Sequence, residues 1–302
     1  MSRHAKTFRF ATRFFPRRFR EPTFHLYAFF RTLDDLVDEP GERDVPDGLV
    51  RDEIEHWRFW FETGMTSPAP RPEIALPVEQ VFVEYRIPTR FALSFLDGLR
   101  SDLDSVERST REDVELYSYQ VASTVGLSMA CVFGVSDQRT LQAAERLGIA
   151  MQLTNILRDI GGDLDRGRIY LPSDLMLKHE LTGRSVRQMW RDGSGPDDRL
   201  RAVVREMIDW ADDHYAAGMT GISGLPTDVQ MPVMVAARLY QEILRELERS
   251  GCDSLRQRAR TTPARKVLEV VRCTFAPREL PDIQSDEAIP VPVVADRDKG
   301  RE

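Results

Sequence analysis

The chain has 302 residues, 41% of them hydrophobic and 30% charged, with a formal net charge of −7. That length suits one large domain or two small ones with a sizeable core. The acidic balance argues against general affinity for nucleic acid, whose phosphates require clustered Lys and Arg.

The start of the chain is locally basic, with Arg9, Arg13, Arg17, Arg18 and Arg20. Such a run suits an anionic ligand or a membrane surface, and equally a solvated basic face. Arginines interrupt it too often for the apolar core of a signal peptide. No later run approaches the ~18 apolar residues of a membrane span. The expectation is a soluble, cytoplasmic protein with at most transient, peripheral membrane contact. The three cysteines, Cys131, Cys252 and Cys273, have an odd count and no metal-like spacing, which fits reduced thiols.

Apolar residues recurring every three or four positions predict helices over 22–38, 49–63, 75–105, 111–134, 137–161, 197–218, 228–249 and 263–274. In the fifth, Leu141, Ala144, Leu147, Ala150, Leu153, Ile156 and Leu157 trace the stripe. Strand alternation is nearly absent. Gly and Pro punctuate the breaks at Pro40-Gly41, 67–72, 193–196 and 224–226, and Pro88-Thr89 reads as a helix opening, Pro being tolerated in a first turn. No repeat or composition shift divides the chain, so one all-α domain over 1–277 is expected. The remainder, 278–302, mixes Pro, Asp, Arg and Gly without periodicity and reads as a disordered tail.

Two acidic clusters stand about 120 residues apart. In the first, Arg31, Asp34, Asp35 and Asp38 share one helix face, where like-charged i,i+4 pairs each cost roughly 0.2–0.5 kcal/mol unless a cation intervenes. Magnesium, which takes carboxylate and phosphate oxygens, removes that cost. A solvated acidic helix end before a Pro-Gly turn explains this cluster alone equally well. The second aligns Gln152, Asn155, Asp159 and Asp163 at spacings of three, four and four, opposite the apolar Leu153, Ile156, Leu157 and Ile160. Arg158 lies beside it and Arg168 follows, and planar guanidinium forks suit phosphate. Together the clusters point to several divalent ions around one diphosphate.

A third stretch, Tyr117 to Gly126, carries small and β-branched residues at helical spacing. It suits either a groove for a long apolar chain or close helix packing. Gly98 and Asp102 read as structural. Among five histidines, Glu53-x-x-His56 is a lone Glu-x-x-His pair, whereas a di-iron bundle needs two. Nucleotide loops and nucleophile elbows are absent.

These motifs resemble the squalene/phytoene synthases, which join two prenyl diphosphates head to head. The resemblance runs to about Phe275 and rests on His4-Ala-Lys-Thr-Phe8, Tyr27-Ala-Phe-x-Arg31-x-x-Asp34-Asp35-x-x-Asp38, Gly98-x-x-x-Asp102-Leu, Tyr117-x-Tyr-x-Val-Ala-x-x-Val-Gly126, Gln152-Leu-Thr-Asn155-Ile-Leu-Arg158-Asp159-x-x-x-Asp163, Arg168-x-Tyr-Leu-Pro172 and Ala237-Arg-Leu-Tyr240. It implies an isoprenoid-synthase helical bundle around a central cavity. Asp34, Asp38, Asn155, Asp159 and Asp163 are then the ligands of Mg2+, or Mn2+. His4, Thr7, Tyr27, Arg31, Gln152, Arg158, Arg168 and Tyr240 contact the diphosphate or line its approach, and Tyr117 steers the cation or its proton loss. NADPH is implied only if the product is squalene.

Two positions depart from the family pattern. Ala5 replaces a Ser, losing a hydroxyl, and Ser123 replaces a Gly, its bulk expected to trim the cavity wall. Phytoene from two geranylgeranyl diphosphates is the expected product; the alternatives are squalene, dehydrosqualene or a hydroxylated relative from farnesyl diphosphate. A class I terpene cyclase normally carries Ser or Thr and then Glu where Asp159 and Asp163 stand. A non-catalytic relative would show degenerate acidic positions.

Overall fold

In the computed structural model, residues 15–38 and 47–262, together with 265 and 273, are described. The expected tail and the boundary at 277 lie outside them, as do His4, Ala5, Thr7 and most of the expected helix over 263–274. All regular structure among the described residues is helical, which bears out the fold class. The α-helices are α1 (Arg17–Asp38), α2 (Asp47–Glu62), α3 (Pro72–Glu84), α4 (Thr89–Leu103), α5 (Arg111–Ser118), α6 (Thr124–Val132), α7 (Gln138–Arg158), α8 (Ile160–Asp165), α9 (Ser173–Lys178), α10 (Gly183–Asp192), α11 (Asp198–Thr220) and α12 (Thr227–Arg249).

Three expected segments are subdivided. The stretch 75–105 breaks at 85–88, where Arg86 takes a left-handed φ of 51° and Pro88 then sets the start of α4. Pro at this boundary disfavours helix in the residue before it. The stretch 111–134 contains a π-helical turn, Tyr119–Ser123, between α5 and α6. Such turns insert an extra residue into the helical register and cluster at functional sites. The third, 137–161, ends early at Arg158 and resumes as α8. Periodicity missed α9, too short to build a stripe, and α10, whose ten residues carry a short apolar stripe of Val186, Met189 and Trp190. Their ends carry local signals instead: the Thr182 hydroxyl accepts from Ser185 N, and Gly193 closes α10 at φ 62°.

Two apolar clusters fill the molecule. One gathers α1 to α4 and α6 around fully buried Phe29, Trp57, Trp60, Phe61, Phe82 and Phe95. The Phe29 ring meets Trp57 at 5.2 Å and Phe61 at 5.5 Å. The other joins α7, α11 and α12 through Leu153, Leu157, Val204, Met207, Tyr215 and Leu244. Helix α7 is the common wall, packing most extensively on α11 and also on α6, α12 and the π turn. The later half of its apolar stripe, Ala150, Leu153, Ile156 and Leu157, is buried on that account, leaving Gln152, Asn155 and Arg158 facing elsewhere. A Cβ on Gly98 would stand 2.6 Å from the Val121 side chain, so glycine there lets α4 reach the π turn.

Ser123 does not behave as expected of a cavity-trimming residue. Its hydroxyl donates to the Glu145 carbonyl at 2.7 Å and its backbone lies against Gly148 of α7. The added atoms are absorbed between two helices.

Candidate active site

Residues Arg31, Asp34, Asp35 and Asp38 fall on the last two turns of α1. Arg31 Nη1 donates to Asp34 Oδ2 at 2.7 Å, and its other amino group pairs with Asp35. The Asp34 side chain keeps 37% of its surface accessible. Surrounding protein and the neighbouring Asp38 still push its carboxyl up to about 7 against the pull of Arg31. Three carboxylates are therefore crowded at the end of α1, which favours a cation.

The second cluster straddles a helix break. Asp159 leaves the helical region at φ −112°, yet its N–H still donates to Asn155 O at 3.0 Å and its carbonyl accepts from Asp163 N at 2.8 Å. Spacing along one stripe therefore survives the break. Gly161 stands here for a packing reason. A Cβ there would stand 2.3 Å from the Leu255 carbonyl, and Gly161 N donates to Ser254 O at 3.0 Å. The segment after α12 can thus lie against the acidic cluster.

That segment delivers Arg258, which sequence reading did not select. Its Nε stands 2.6 Å from Asp159 Oδ1 and its Nη2 donates to Oδ2 at 2.8 Å. Arg158 Nη2 donates to the same Oδ2 at 2.6 Å. Burial pushes the Asp159 carboxyl upward, but these two guanidiniums outweigh it and hold it below the usual range. Asp163 has the opposite balance: burial and the Asp159 charge, with Asp38 adding to them against Arg166 and Arg168, raise it to about 8.

Arg166 and Arg168 join the two clusters. Arg168 Nη1 donates to Asp38 Oδ1 at 2.7 Å and its Nη2 to Val37 O at 3.2 Å. Arg166 Nε donates to Asp38 O at 3.2 Å, while its Nη1 stands 3.7 Å from Asp163 Oδ1. The ends of α1 and α8 therefore face each other. Tyr240 of α12 interacts with the Arg158 guanidinium, and Tyr27 lies one helical turn before Arg31 on α1. Gln152 Oε1 accepts from Asn155 Nδ2 at 3.1 Å. Every sequence-selected site residue within the described range except Tyr117 thus contacts or adjoins one of the clusters.

Tyr117 sits deeper. Its hydroxyl donates to Asp102 Oδ2 at 2.8 Å, and its ring stacks on Tyr170 at 5.0 Å. Tyr170 donates to the other Asp102 oxygen at 2.9 Å. Tyr170 also lines a small pocket with Asp163, Arg168, Ile156, Ile160, Ile169 and Leu171. Asp102, read from the sequence as structural, is the acceptor that both tyrosines share.

Among the described residues no three acidic, His or Cys groups already form a metal nest. The carboxylates of Asp34, Asp38 and Asp159 are each gripped by an arginine instead. The donor set nonetheless fits a hard divalent cation. Asn155 Oδ1 is buried and lacks a hydrogen-bond partner among the described residues. It lies one helical turn from Asp159, and such an orphaned oxygen costs roughly 1–3 kcal/mol unless something binds it. Amide and carboxylate oxygens are the ligands magnesium and manganese prefer.

The squalene/phytoene synthase family model matches residues 1–265. A phytoene synthase of Cereibacter sphaeroides is 34% identical over 302 residues, covering 96% of this chain and 82% of its own length. A 15-cis-phytoene synthase of Synechococcus elongatus is 32% identical, covering 89% of this chain and 88% of its own. Among solved structures, a dehydrosqualene synthase in complex with a ligand superposes with a TM-score of 0.76 at 26% identity, covering 89% of this chain and 90% of that one. The helical fold is shared along nearly the whole length.

Proposed function

Because the chain belongs to the squalene/phytoene synthase family of prenyltransferases, we propose that it condenses two geranylgeranyl diphosphates head to head to give phytoene, through a cyclopropyl diphosphate. The observation that carries this reading is the bridging of the acidic clusters by Arg166 and Arg168. It sets carboxylates and guanidiniums from two distant stretches of the chain around one space, the arrangement a diphosphate leaving group requires.

In this reading Asp34, Asp38, Asn155, Asp159 and Asp163 hold Mg2+, with Mn2+ as a substitute. When bound, such ions withdraw charge from the departing diphosphate. The arginines perform two tasks. Before substrate arrives, Arg31, Arg158 and Arg168 neutralise the aspartates they now touch. With the aspartates holding cations, the same forks would be free to donate to the diphosphate oxygens and stabilise the charge developing on them. Tyr27, Gln152 and Tyr240 line the approach, and His4 and Thr7 complete it by resemblance. Ile156, Ile160, Ile169 and Leu171 give the small pocket beside Asp163 and Arg168 an apolar wall.

Among the described residues no helix is long and apolar enough to cross a membrane. We place the enzyme in the cytoplasm, touching the bilayer only transiently to release a hydrocarbon. The similarity to a dehydrosqualene synthase structure keeps farnesyl diphosphate as the second reading.

Purified protein incubated with Mg2+ and either diphosphate, with and without NADPH, tests both. Phytoene from geranylgeranyl diphosphate, unchanged by NADPH, is expected. Squalene or dehydrosqualene from farnesyl diphosphate would favour the second reading, and consumption of neither diphosphate refutes both.

A further inference from the structure

We propose that Asp102 is the proton sink of this site, a positioning residue that takes up through Tyr170 the proton lost when the final carbocation closes to a double bond. The inference rests on the prenyltransferase reading above and adds to it the identity of the base.

The geometry is that of a short relay. Asp102 lies near the end of α4 with its side chain only 6% exposed. Each of its oxygens accepts from a different tyrosine, Tyr117 at 2.8 Å and Tyr170 at 2.9 Å. Arg108, which donates to Val106 O and Ser101 Oγ, stands 3.6 Å from the same carboxylate and 4.5 Å over the Tyr117 ring. The two tyrosine rings are stacked within 14° of parallel. Of these residues Tyr170 is the one that lines the pocket beside Asp163 and Arg168.

The carboxylate balances the buried guanidinium of Arg108, 3.6 Å away, but the two tyrosine hydroxyls do not themselves call for a charge. A buried charge is costly, and a neutral acceptor would hold two hydroxyls with less desolvation. A carboxylate is needed where a proton must be accepted. Burial, opposed by Arg168 and by the two tyrosine hydrogen bonds, leaves the Asp102 carboxyl above its ordinary range, which makes it the stronger base. The tyrosines are raised too, Tyr117 well above its ordinary value through burial and the Asp102 charge, so both stay phenols and neither is a base by itself.

In the proposed step, a C–H bond next to the cation breaks and its electron pair forms the new C=C bond. The proton goes to Tyr170 Oη as the Tyr170 O–H proton passes to Asp102 Oδ1. The products are a neutral hydrocarbon, an unchanged Tyr170 and a neutral Asp102 carboxyl. Asp102 returns its proton to water along the same path once the pocket empties. Tyr117 holds Oδ2 and so fixes the carboxylate plane.

The test compares wild type with Asp102→Asn and Tyr170→Phe, measuring kcat, KM and the full product mixture with geranylgeranyl diphosphate and Mg2+. Both variants keep side-chain volume but interrupt the relay. Expected is a fall of about 100-fold or more in kcat for hydrocarbon, the lower range for a general base. KM stays within about threefold, and water-quenched alcohols form a larger share of the product. A kcat within about threefold of wild type, or a lower kcat with an unchanged product mixture, overturns the relay. Should Asp102→Asn fail to fold by circular dichroism, Tyr170→Phe decides on the same criteria. If wild type forms no product from either prenyl diphosphate, the prenyltransferase reading itself fails; if wild type turns over and the variants match it, only the relay fails.

Discussion

Arg168 donates to Asp38 across 2.7 Å, though 130 residues separate them in sequence. The same guanidinium reaches Val37 O at 3.2 Å, so it grips both the side chain and the backbone at the end of α1. An ammonium group is a point charge that cannot span both acceptors.

Arg168→Lys is therefore expected to keep the helical fold and lose turnover. One charge-assisted hydrogen bond is worth about 1.5–3 kcal/mol, or about 10- to 100-fold in rate. Steady-state kinetics beside a circular dichroism spectrum checks this. Full activity in the Lys variant would remove Arg168 from the site.

Asp159 is held by two guanidiniums, Arg158 and Arg258. Asp159→Asn keeps the shape but leaves both cations facing a neutral amide. Turnover is expected to drop by about 1000-fold, comparable to losing one major electrostatic group. Stability is expected to drop by about 3 kcal/mol, the lower cost of breaking a buried pair. Calorimetric titration with Mn2+ should show weaker binding than wild type. Unaltered Mn2+ affinity would show that Asp159 is not a ligand.

Residue spacing made some of this site legible and hid the rest for a physical reason. Asp34, Asp38, Asn155, Asp159 and Asp163 could be found because helical periodicity places them on local stripes, and the stripe persists even across the break at Asp159. Arg258 could not, because its approach depends on the segment after α12 folding back onto Gly161. Arg166 had no local signal of its link to Asp38. Asp102 looked structural because its meaning comes from Tyr117 and Tyr170, 15 and 68 residues away. The fold class followed from periodicity, whereas α9, α10 and the π turn did not, being at most ten residues long.

Ser123 offers a negative prediction about product length. Its hydroxyl is spent on Glu145 O and its atoms lie against α7. Ser123→Gly is expected to leave hydrocarbon length unchanged in mass spectra of the product. It should cost about 1–2 kcal/mol in denaturant titrations, from the lost buried hydrogen bond and the added backbone freedom. A shift to longer chains would return Ser123 to the cavity wall.

Part of the acid lability should trace to Glu115, away from the acidic clusters. Trp210 Nε1 donates to Glu115 Oε1 at 3.0 Å, and His214 Nε2 stands 3.1 Å from the same oxygen. Arg111 lies 3.3 Å away from it and over the Trp210 ring. Burial pushes the Glu115 carboxyl up, but the hydrogen bonds and charges of His214, Trp210 and Arg111 outweigh it and hold it down at about 2. A folded-state value below the unfolded one means the unfolded chain binds the extra proton first. The stabilisation is therefore complete above about pH 4.5 and disappears as the pH falls toward about 2. Its upper bound, from the size of the shift, is about 3 kcal/mol. Urea titrations of wild type and Glu115→Gln should differ by up to that amount at pH 7 and converge near pH 2. Curves that stay parallel across this window would show that Glu115 contributes no such linkage between α5 and α11.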